Sequence, residues 1–171
     1  AFQFLLFSGN MGFGGQTDDY GNTPLMIALA NNGIPRAVQY LLQVTPRIRS
    51  LRPEYHPHKP NDAGWTALMI AARHNASSEN IELLLNPPPE GKTTKAKVND
   101  ALPENGWTPL MLACRYADNP KTIQLLLDAG ADINAQSTEG LTALMTATAN
   151  SNSEILELLL EQGANPTVVD N

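Results

Sequence analysis

Cysteine is almost absent from this chain of 171 residues, which contains only Cys114. One cysteine cannot form an internal disulfide, so nothing in the sequence implies an oxidising compartment. A zinc site built on several cysteines is excluded for the same reason. We therefore expect an intracellular protein, cytoplasmic or nuclear.

Charged residues are also scarce, at 16% of the chain, where about a quarter is usual. The 11 Lys and Arg are outnumbered by 17 Asp and Glu, which gives a net charge of -6. A protein of this charge has no general attraction to nucleic acid, so we expect no nucleic-acid partner. The longest apolar stretch, residues 1–7, is far shorter than the roughly 20 residues of a membrane span, and none is expected.

The chain contains an internal repeat. Four segments read Gly-x-Thr-(Pro or Ala)-Leu-Met, and each is followed by small residues and then by a leucine-rich stretch. The threonines of these segments are spaced by 43, 42 and 34 residues. They are Thr23, Thr66, Thr108 and Thr142.

Each repeated residue has a local structural reason. Glycine permits a tight turn, threonine caps a short helix, and proline suits the first helical turn. Alanine at positions 28, 71, 113 and 147 keeps the first helix thin, so neighbouring units can stack closely. No unit buries its apolar face alone, so stability is expected to come from stacking.

This pattern resembles the ankyrin repeat, whose period is about 33 residues and whose signature is T-P-L-H-x-A. The match is clearest from Gly106 to Asn165 and covers nearly the whole chain. It implies an all-α ankyrin-repeat solenoid of stacked helix-turn-helix units with β-hairpin-like fingers. It also implies a non-catalytic scaffold that binds another protein on its concave face. The alternative is a targeting or regulatory ankyrin module of a larger multidomain enzyme, channel or pathogen effector.

We assign residues 1–171 to a single ankyrin-repeat domain. Residues 1–15 are expected to be the tail of an upstream repeat, and residues 16–61 and 62–104 to be repeats with insertions. Residues 105–137 form a repeat, and residues 138–171 form a repeat and the start of the next finger. Because an end repeat normally carries a polar cap, Val168 and Val169 suggest that the chain is part of a longer array.

Two departures from the family pattern carry predictions. The histidine of the signature is methionine in all four units, and we expect this methionine only to pack. The first three units have one residue more than the fourth between the threonine and the leucine pair. We therefore expect slightly longer turns between their helices.

The long spacings predict insertions after the second helix of the first two units, at Gln43–Asn61 and Asn86–Asn105. Both segments are rich in proline and charge, and insertions in neighbouring repeats should lie side by side on one face. They are interpreted either as solvated loops or as a basic rim for a phosphate, an anionic lipid or an acidic partner. The candidate anion-binding residues are Arg47, Arg49, Arg52, Lys92, Lys95 and Lys97.

The family resemblance places finger tips and first-helix ends on the partner-binding surface. In the two middle units a tryptophan in the finger is matched by an arginine in the first helix, and these residue types dominate binding energy at interfaces. We expect two equivalent Trp–Arg pairs that form a ladder for an extended peptide or an acidic helix. The alternative is that each tryptophan only packs on its own finger or under the arginine. The predicted partner-binding residues are Tyr20, Asn22, Trp65, Arg73, His74, Trp107, Arg115, Tyr116, Leu141 and Asn150.

No catalytic constellation emerges from the sequence. Cys114 follows Ala113 in a small-residue position of a first helix, where a cysteine is expected to pack in the core. Nucleophilic catalysis needs a base close to the nucleophile. His74 lies one repeat away at a different repeat position, so a Cys–His pair is conceivable, but the sequence offers no third group to orient it. We expect no enzyme activity, no cofactor and no metal site.

Overall fold

A computed structural model describes residues 17–31, 33–51, 58–87 and 95–170, without the side chains of residues 44–51. These ranges contain eight helices and no strand, which confirms the predicted all-α class. The helices are α1 (Pro24–Ala30), α2 (Pro35–Leu51), α3 (Ala67–Arg73), α4 (Ser78–Leu85), α5 (Pro109–Tyr116), α6 (Pro120–Asp128), α7 (Ala143–Thr148) and α8 (Ser153–Glu161).

The helices stack in two layers. Helices α1, α3, α5 and α7 form an inner layer in which each contacts the next, and α2, α4, α6 and α8 form an outer layer in the same way. One buried apolar cluster runs between the layers from Leu25 to Ala164. Because each helix covers the apolar face of its neighbours, the fold is held by contacts between repeats.

Every inner helix begins at its predicted threonine N-cap. Each threonine Oγ1 accepts a hydrogen bond from the backbone N–H of the methionine three residues later, at 3.3 to 3.4 Å. The expectation that this methionine only packs is wrong in two repeats. Sδ of Met69 and Sδ of Met145 each accept from the N-cap N–H at 3.5 Å. The thioether is a weak acceptor in the place where a capping box carries Glu or Gln.

The turns between helices explain the extra residue of the early repeats. Asn75 and Ser151 occupy equivalent positions with positive φ, at 52° and 56°. The cap of the next helix follows immediately after Ser151, at Asn152, but in the second repeat it lies at Ser77. The residue between is Ala76, which is buried. The longer turn predicted for the second repeat is therefore confirmed.

The first insertion was predicted to be a loop, but α2 continues into it as far as Leu51. The extension includes Pro46, which cannot donate a helical hydrogen bond. Glutamine, arginine and leucine in the same stretch are good helix formers, and it contains no glycine. The second insertion returns to the core at Ala96, whose N–H donates to the carbonyl of Leu84 at 3.1 Å. The predicted tail at residues 1–15 lies outside the described residues.

Ahead of each inner helix lies a finger, a hairpin-like loop closed by one backbone hydrogen bond. The closing N–H···O distances are 3.1 Å in the first finger and 2.9 Å in the other three. Finger 3 is one residue longer than the others. The four fingers are finger 1 (Asp18–Asn22), finger 2 (Asn61–Trp65), finger 3 (Leu102–Trp107) and finger 4 (Ser137–Leu141).

Neighbouring fingers are joined in two ways. The Asp62 N–H of finger 2 donates to the Tyr20 carbonyl of finger 1 at 3.1 Å, and the Thr138 N–H of finger 4 donates to the Asn105 carbonyl of finger 3 at 3.0 Å. In finger 3 the corresponding position holds Pro103, which has no N–H. Its ring lies against Gly64 so closely that a side chain there would collide with it.

Candidate partner-binding groove

A chain of polar side chains fixes fingers 1 and 2 relative to each other. Asn22 Nδ2 donates to Asp18 Oδ2 at 2.9 Å, and Asn61 Nδ2 donates to Asn22 Oδ1 at 2.7 Å. Asn61 Oδ1 in turn accepts the Trp65 N–H at 2.9 Å. Partial burial acts to raise the pKa of Asp18, but the hydrogen bonds from Asn22 and from the Tyr20 N–H hold it below its ordinary value.

An open groove of about 640 Å³, here called the finger groove, lies between these two fingers and the inner helices. It gathers five of the residues predicted to bind a partner. Sequence reasoning missed the half-buried Ile70 and the finger-tip carboxylates Asp19 and Asp62, because their repeat positions carry no distinctive residue type. The lining residues are Asp19, Tyr20, Asn22, Ala30, Asn61, Asp62, Ala63, Trp65, Ile70, Arg73 and His74.

Arg73 links the second repeat to the third. Its Cζ lies 5.6 Å from the ring centre of Trp65 and 5.2 Å from that of Tyr116. Its Nη1 also donates to the Tyr116 hydroxyl at 3.4 Å. Both distances to the rings are within the range of cation–π attraction. The guanidinium is therefore held between two aromatic rings at one end of the finger groove.

The two predicted Trp–Arg pairs are not equivalent, which corrects the expected ladder. Cζ of Arg115 lies 5.6 Å from the ring centre of Tyr116, and its Nη1 donates to the Ala149 carbonyl at 3.0 Å. Within the described ranges no arginine lies over the ring of Trp107. Each arginine reaches toward the following repeat. The third repeat presents an aromatic ring there, whereas the fourth presents a carbonyl.

No carboxylate among the described side chains neutralises the positive charge of these two arginines. Among the side chains that the structure describes, neither Arg73 nor Arg115 forms an ion pair with a carboxylate. Arg73 is exposed and Arg115 is half-buried. Because the cation of Arg73 is already oriented by the rings, a carboxylate from outside would meet a preformed site.

Comparison of the sequence with models of known families agrees with the observed fold. The family model for ankyrin repeats in three copies matches residues 46–137 and 93–170, and the model for a single ankyrin repeat matches residues 20–49. The chain belongs to the ankyrin-repeat family. Ankyrin repeats are generally protein–protein interaction modules. A search of curated proteins finds no match to this chain.

Five predicted residues of the ankyrin array do not line the finger groove. Two of them, Arg115 and Tyr116, are described above with Arg73. Trp107 is half-buried and packs against the core. Leu141 is half-buried at the end of finger 4. Asn150 Nδ2 donates to the Ala117 carbonyl at 2.8 Å, so this amide joins the fourth repeat to the third. Their role in binding stays a prediction.

The only thiol of the ankyrin array is not suited to catalysis. Cys114 is fully buried, as predicted, and burial raises its pKa to about 12. A thiol with this pKa stays protonated near neutral pH and is a poor nucleophile. In the described part of the chain, no three His, Cys, Asp or Glu side chains lie close enough to hold a metal ion.

Of the predicted anion-binding residues, Lys95 and Lys97 have described side chains. Arg52 and Lys92 lie outside the described residues, as do the side chains of Arg47 and Arg49. Among the described helices, none combines the length and the hydropathy that a membrane span requires.

Proposed function

We propose that this ankyrin array is a non-catalytic interaction scaffold that binds an acidic segment of another protein in the finger groove, on its concave face. The observation that carries the proposal is the guanidinium of Arg73, held between Trp65 and Tyr116 with no carboxylate partner among the described residues. Arginine, tryptophan and tyrosine are the residues that most often dominate binding energy at interfaces.

The composition of the finger groove defines the kind of segment that fits. Its lining includes the apolar side chain of Ile70 and the ring of Trp65. It also includes Arg73 and His74 and, at the finger tips, the carboxylates Asp19 and Asp62. A segment that places one carboxylate near Arg73 and apolar residues near Ile70 and Trp65 complements both parts of this lining. A uniformly acidic segment is opposed by the two finger-tip carboxylates, which gives the site selectivity.

The same observations support an intracellular, non-enzymatic role. The single cysteine is buried and protonated, which is compatible with a reducing compartment. We therefore extend the proposal to a cytoplasmic or nuclear scaffold that positions its partner rather than modifying it.

A selection of displayed random peptides on the full 171-residue chain tests this proposal. We expect enriched peptides with an Asp or Glu close to apolar residues. Replacing Arg73 by alanine should weaken their binding by about tenfold or more, because a charge-assisted hydrogen bond and the ring contacts are lost together. The matched control is Lys121→Gln, which removes an exposed cation on α6 and should leave binding unchanged.

Two results would contradict the proposal. One is a set of enriched peptides whose affinity is the same for Arg73→Ala and for the unmodified chain. The other is equal weakening by Lys121→Gln, which would show that binding follows net charge rather than the finger groove.

A further inference from the structure

A second groove, of about 460 Å³, lies between the two insertions and is here called the insertion groove. Lys59 comes from the first insertion, and Lys95 and Lys97 come from the second. The two insertions therefore meet side by side, as their sequence positions predicted. The lining residues are His58, Lys59, Pro60, Thr66, Lys95, Ala96, Lys97 and Asp100.

The insertion groove has the opposite charge to the molecule. Three lysines and one carboxylate line it, although the whole chain carries a net charge of -6. An acidic surface repels anions, and a concave site lined by cations focuses them. A small anion is therefore attracted more strongly to the insertion groove than to the surrounding surface.

Backbone and side-chain contacts hold the lysines of the second insertion in place. The N–H of Ala96, between the two lysines, donates to the Leu84 carbonyl at the end of α4, at 3.1 Å. Nζ of Lys95 donates to Asn86 Oδ1 at 3.2 Å. The buried Thr66, which caps α3, lies at the same groove. This anchoring lowers the conformational entropy that a ligand must remove from the lysines.

We propose that the insertion groove binds the phosphate group of a small soluble ligand. Lysine ammonium groups are established phosphate binders that act as point charges. The volume lies within the range of small-molecule sites, about 300 to 1,000 Å³. A phosphate could also come from a lipid headgroup. The net charge of -6 opposes approach to an anionic membrane, which favours the soluble source.

This site is separate from the finger groove. The finger groove is lined by finger 2 itself, whereas the insertion groove is lined by residues that flank finger 2 in the sequence, and the two grooves share no lining residue. Loss of one function therefore leaves the other measurable, and the proposal for the insertion groove does not depend on the partner of the finger groove.

Titration of the isotope-labelled full chain with inorganic pyrophosphate, followed by amide chemical shifts, tests the proposal. We expect saturable shifts confined to the lining of the insertion groove. The triple variant Lys59→Gln, Lys95→Gln, Lys97→Gln should weaken binding by about tenfold or more, because it removes all three lysines of the described lining. Lys121→Gln, on α6, is the matched control and should not change the affinity.

A variant that is expected to bind more tightly completes the test, because misfolding of a variant cannot produce tighter binding. Replacing Asp100, the carboxylate among the described lining residues, by asparagine should tighten pyrophosphate binding by about two- to threefold, because one repulsion is removed. Shifts spread over all lysines, equal weakening by Lys121→Gln, or no tightening by Asp100→Asn would overturn the proposal.

Lipid vesicles form the second arm of the experiment. Vesicles of an anionic phospholipid should bind less tightly per phosphate than pyrophosphate in solution. Sedimentation with vesicles that requires the three lysines, together with no response to pyrophosphate, would overturn the soluble source and assign the insertion groove to a membrane headgroup.

Discussion

The junction between fingers 2 and 3 differs from the junctions on either side of it. Fingers 1 and 2, and fingers 3 and 4, are joined by backbone N–H···O bonds of 3.1 and 3.0 Å. At the middle junction, Pro103 packs against Gly64 and has no N–H to donate. Side chains cross this junction, with Arg73 reaching Tyr116 and Asn75 Nδ2 donating to Asp118 Oδ2 at 2.6 Å. At the junctions on either side, side-chain hydrogen bonds such as Asn61 to Asn22 and Asn150 to the Ala117 carbonyl add to the backbone bonds.

This difference shows that one solenoid can keep its repeats in register by two physical means. The outer junctions have a backbone bond between their fingers, which depends on the chain path, in addition to side-chain bonds. At the middle junction the finger contact depends on the identity of a proline and a glycine. The proposed finger groove lies between fingers 1 and 2, but its arginine, Arg73, contacts Tyr116 across this sequence-dependent junction. Arg73 and Tyr116 therefore contribute both to the alignment of neighbouring repeats and to the proposed binding of a partner.

The largest effect is expected where the middle junction is broken directly. Gly64 has φ of +83°, and a Cβ there would collide with the Pro103 ring. Gly64→Ala should lower the free energy of unfolding by about 2 to 5 kcal/mol, from left-handed strain and overpacking together. Urea denaturation followed by circular dichroism measures this loss.

Gly130→Ala is the matched control, because its φ is +90° and no atom lies within 4 Å of the added Cβ. It carries the backbone strain alone, about 1 to 2 kcal/mol. Equal losses in the two variants would show that the contact with Pro103 contributes nothing to stability.

A smaller effect is expected from the side chains that shape fingers 2 and 3. Asn61 Oδ1 accepts the N–H groups of Ala63 and Trp65, and Asn61 Nδ2 donates to Asn22. Asn105 Oδ1 accepts the Trp107 N–H. Asn61→Ala should cost about 1 to 3 kcal/mol and Asn105→Ala about 1 kcal/mol. Thermal unfolding of the two variants side by side checks this order, and a larger loss for Asn105→Ala would contradict it.

The positive-φ turns of the second and fourth repeats sharpen the comparison further. Ser151→Gly relieves strain at φ of 56° and should raise the free energy of unfolding by about 0.5 kcal/mol. Asn75→Gly also removes the hydrogen bonds with Asp118, so it should lower stability by about 1 kcal/mol. Denaturant midpoints of the two glycine variants should therefore move in opposite directions, and a shift of the same sign would refute the role of Asn75 at the middle junction.

The smallest effect concerns pH at the junction of fingers 1 and 2. The folded pKa of Asp18 is lowered, so its ionised form is favoured by folding. The stabilisation is present above the unfolded pKa of about 3.9 and is lost as the pH falls through the lower folded pKa. Asp18→Asn should cost more stability at pH 7 than at pH 2, as measured by thermal unfolding. An equal cost at both values would contradict this interpretation.

Sequence reasoning predicted the features that arise within one repeat. The threonine caps and the buried alanines Ala71, Ala113 and Ala147 follow from local conformation and size, and the structure places them as expected. The turn residue Ala76 was predictable from a one-residue difference in spacing. These signals are local, so a single sequence suffices to read them.

Features that arise between repeats were not predictable in this way. The inequivalence of the tryptophans depends on what each arginine meets in the following repeat, Tyr116 or the Ala149 carbonyl. The sulfur acceptors at Met69 and Met145 depend on the rotamer of a flexible side chain, which the residue type alone does not fix. The extension of α2 falls in an insertion, where the repeat pattern provides no template.

The central claim is that recognition is concentrated where Arg73 lies between two rings, and the two tryptophans test it most directly. They occupy the same repeat position, but only Trp65 lines the finger groove and lies under Arg73. The measurement is the affinity of one selected acidic peptide for Trp65→Ala and for Trp107→Ala. We expect a loss of about tenfold or more for Trp65→Ala and less than about threefold for Trp107→Ala. Equal losses, or a larger loss for Trp107→Ala, would contradict the account.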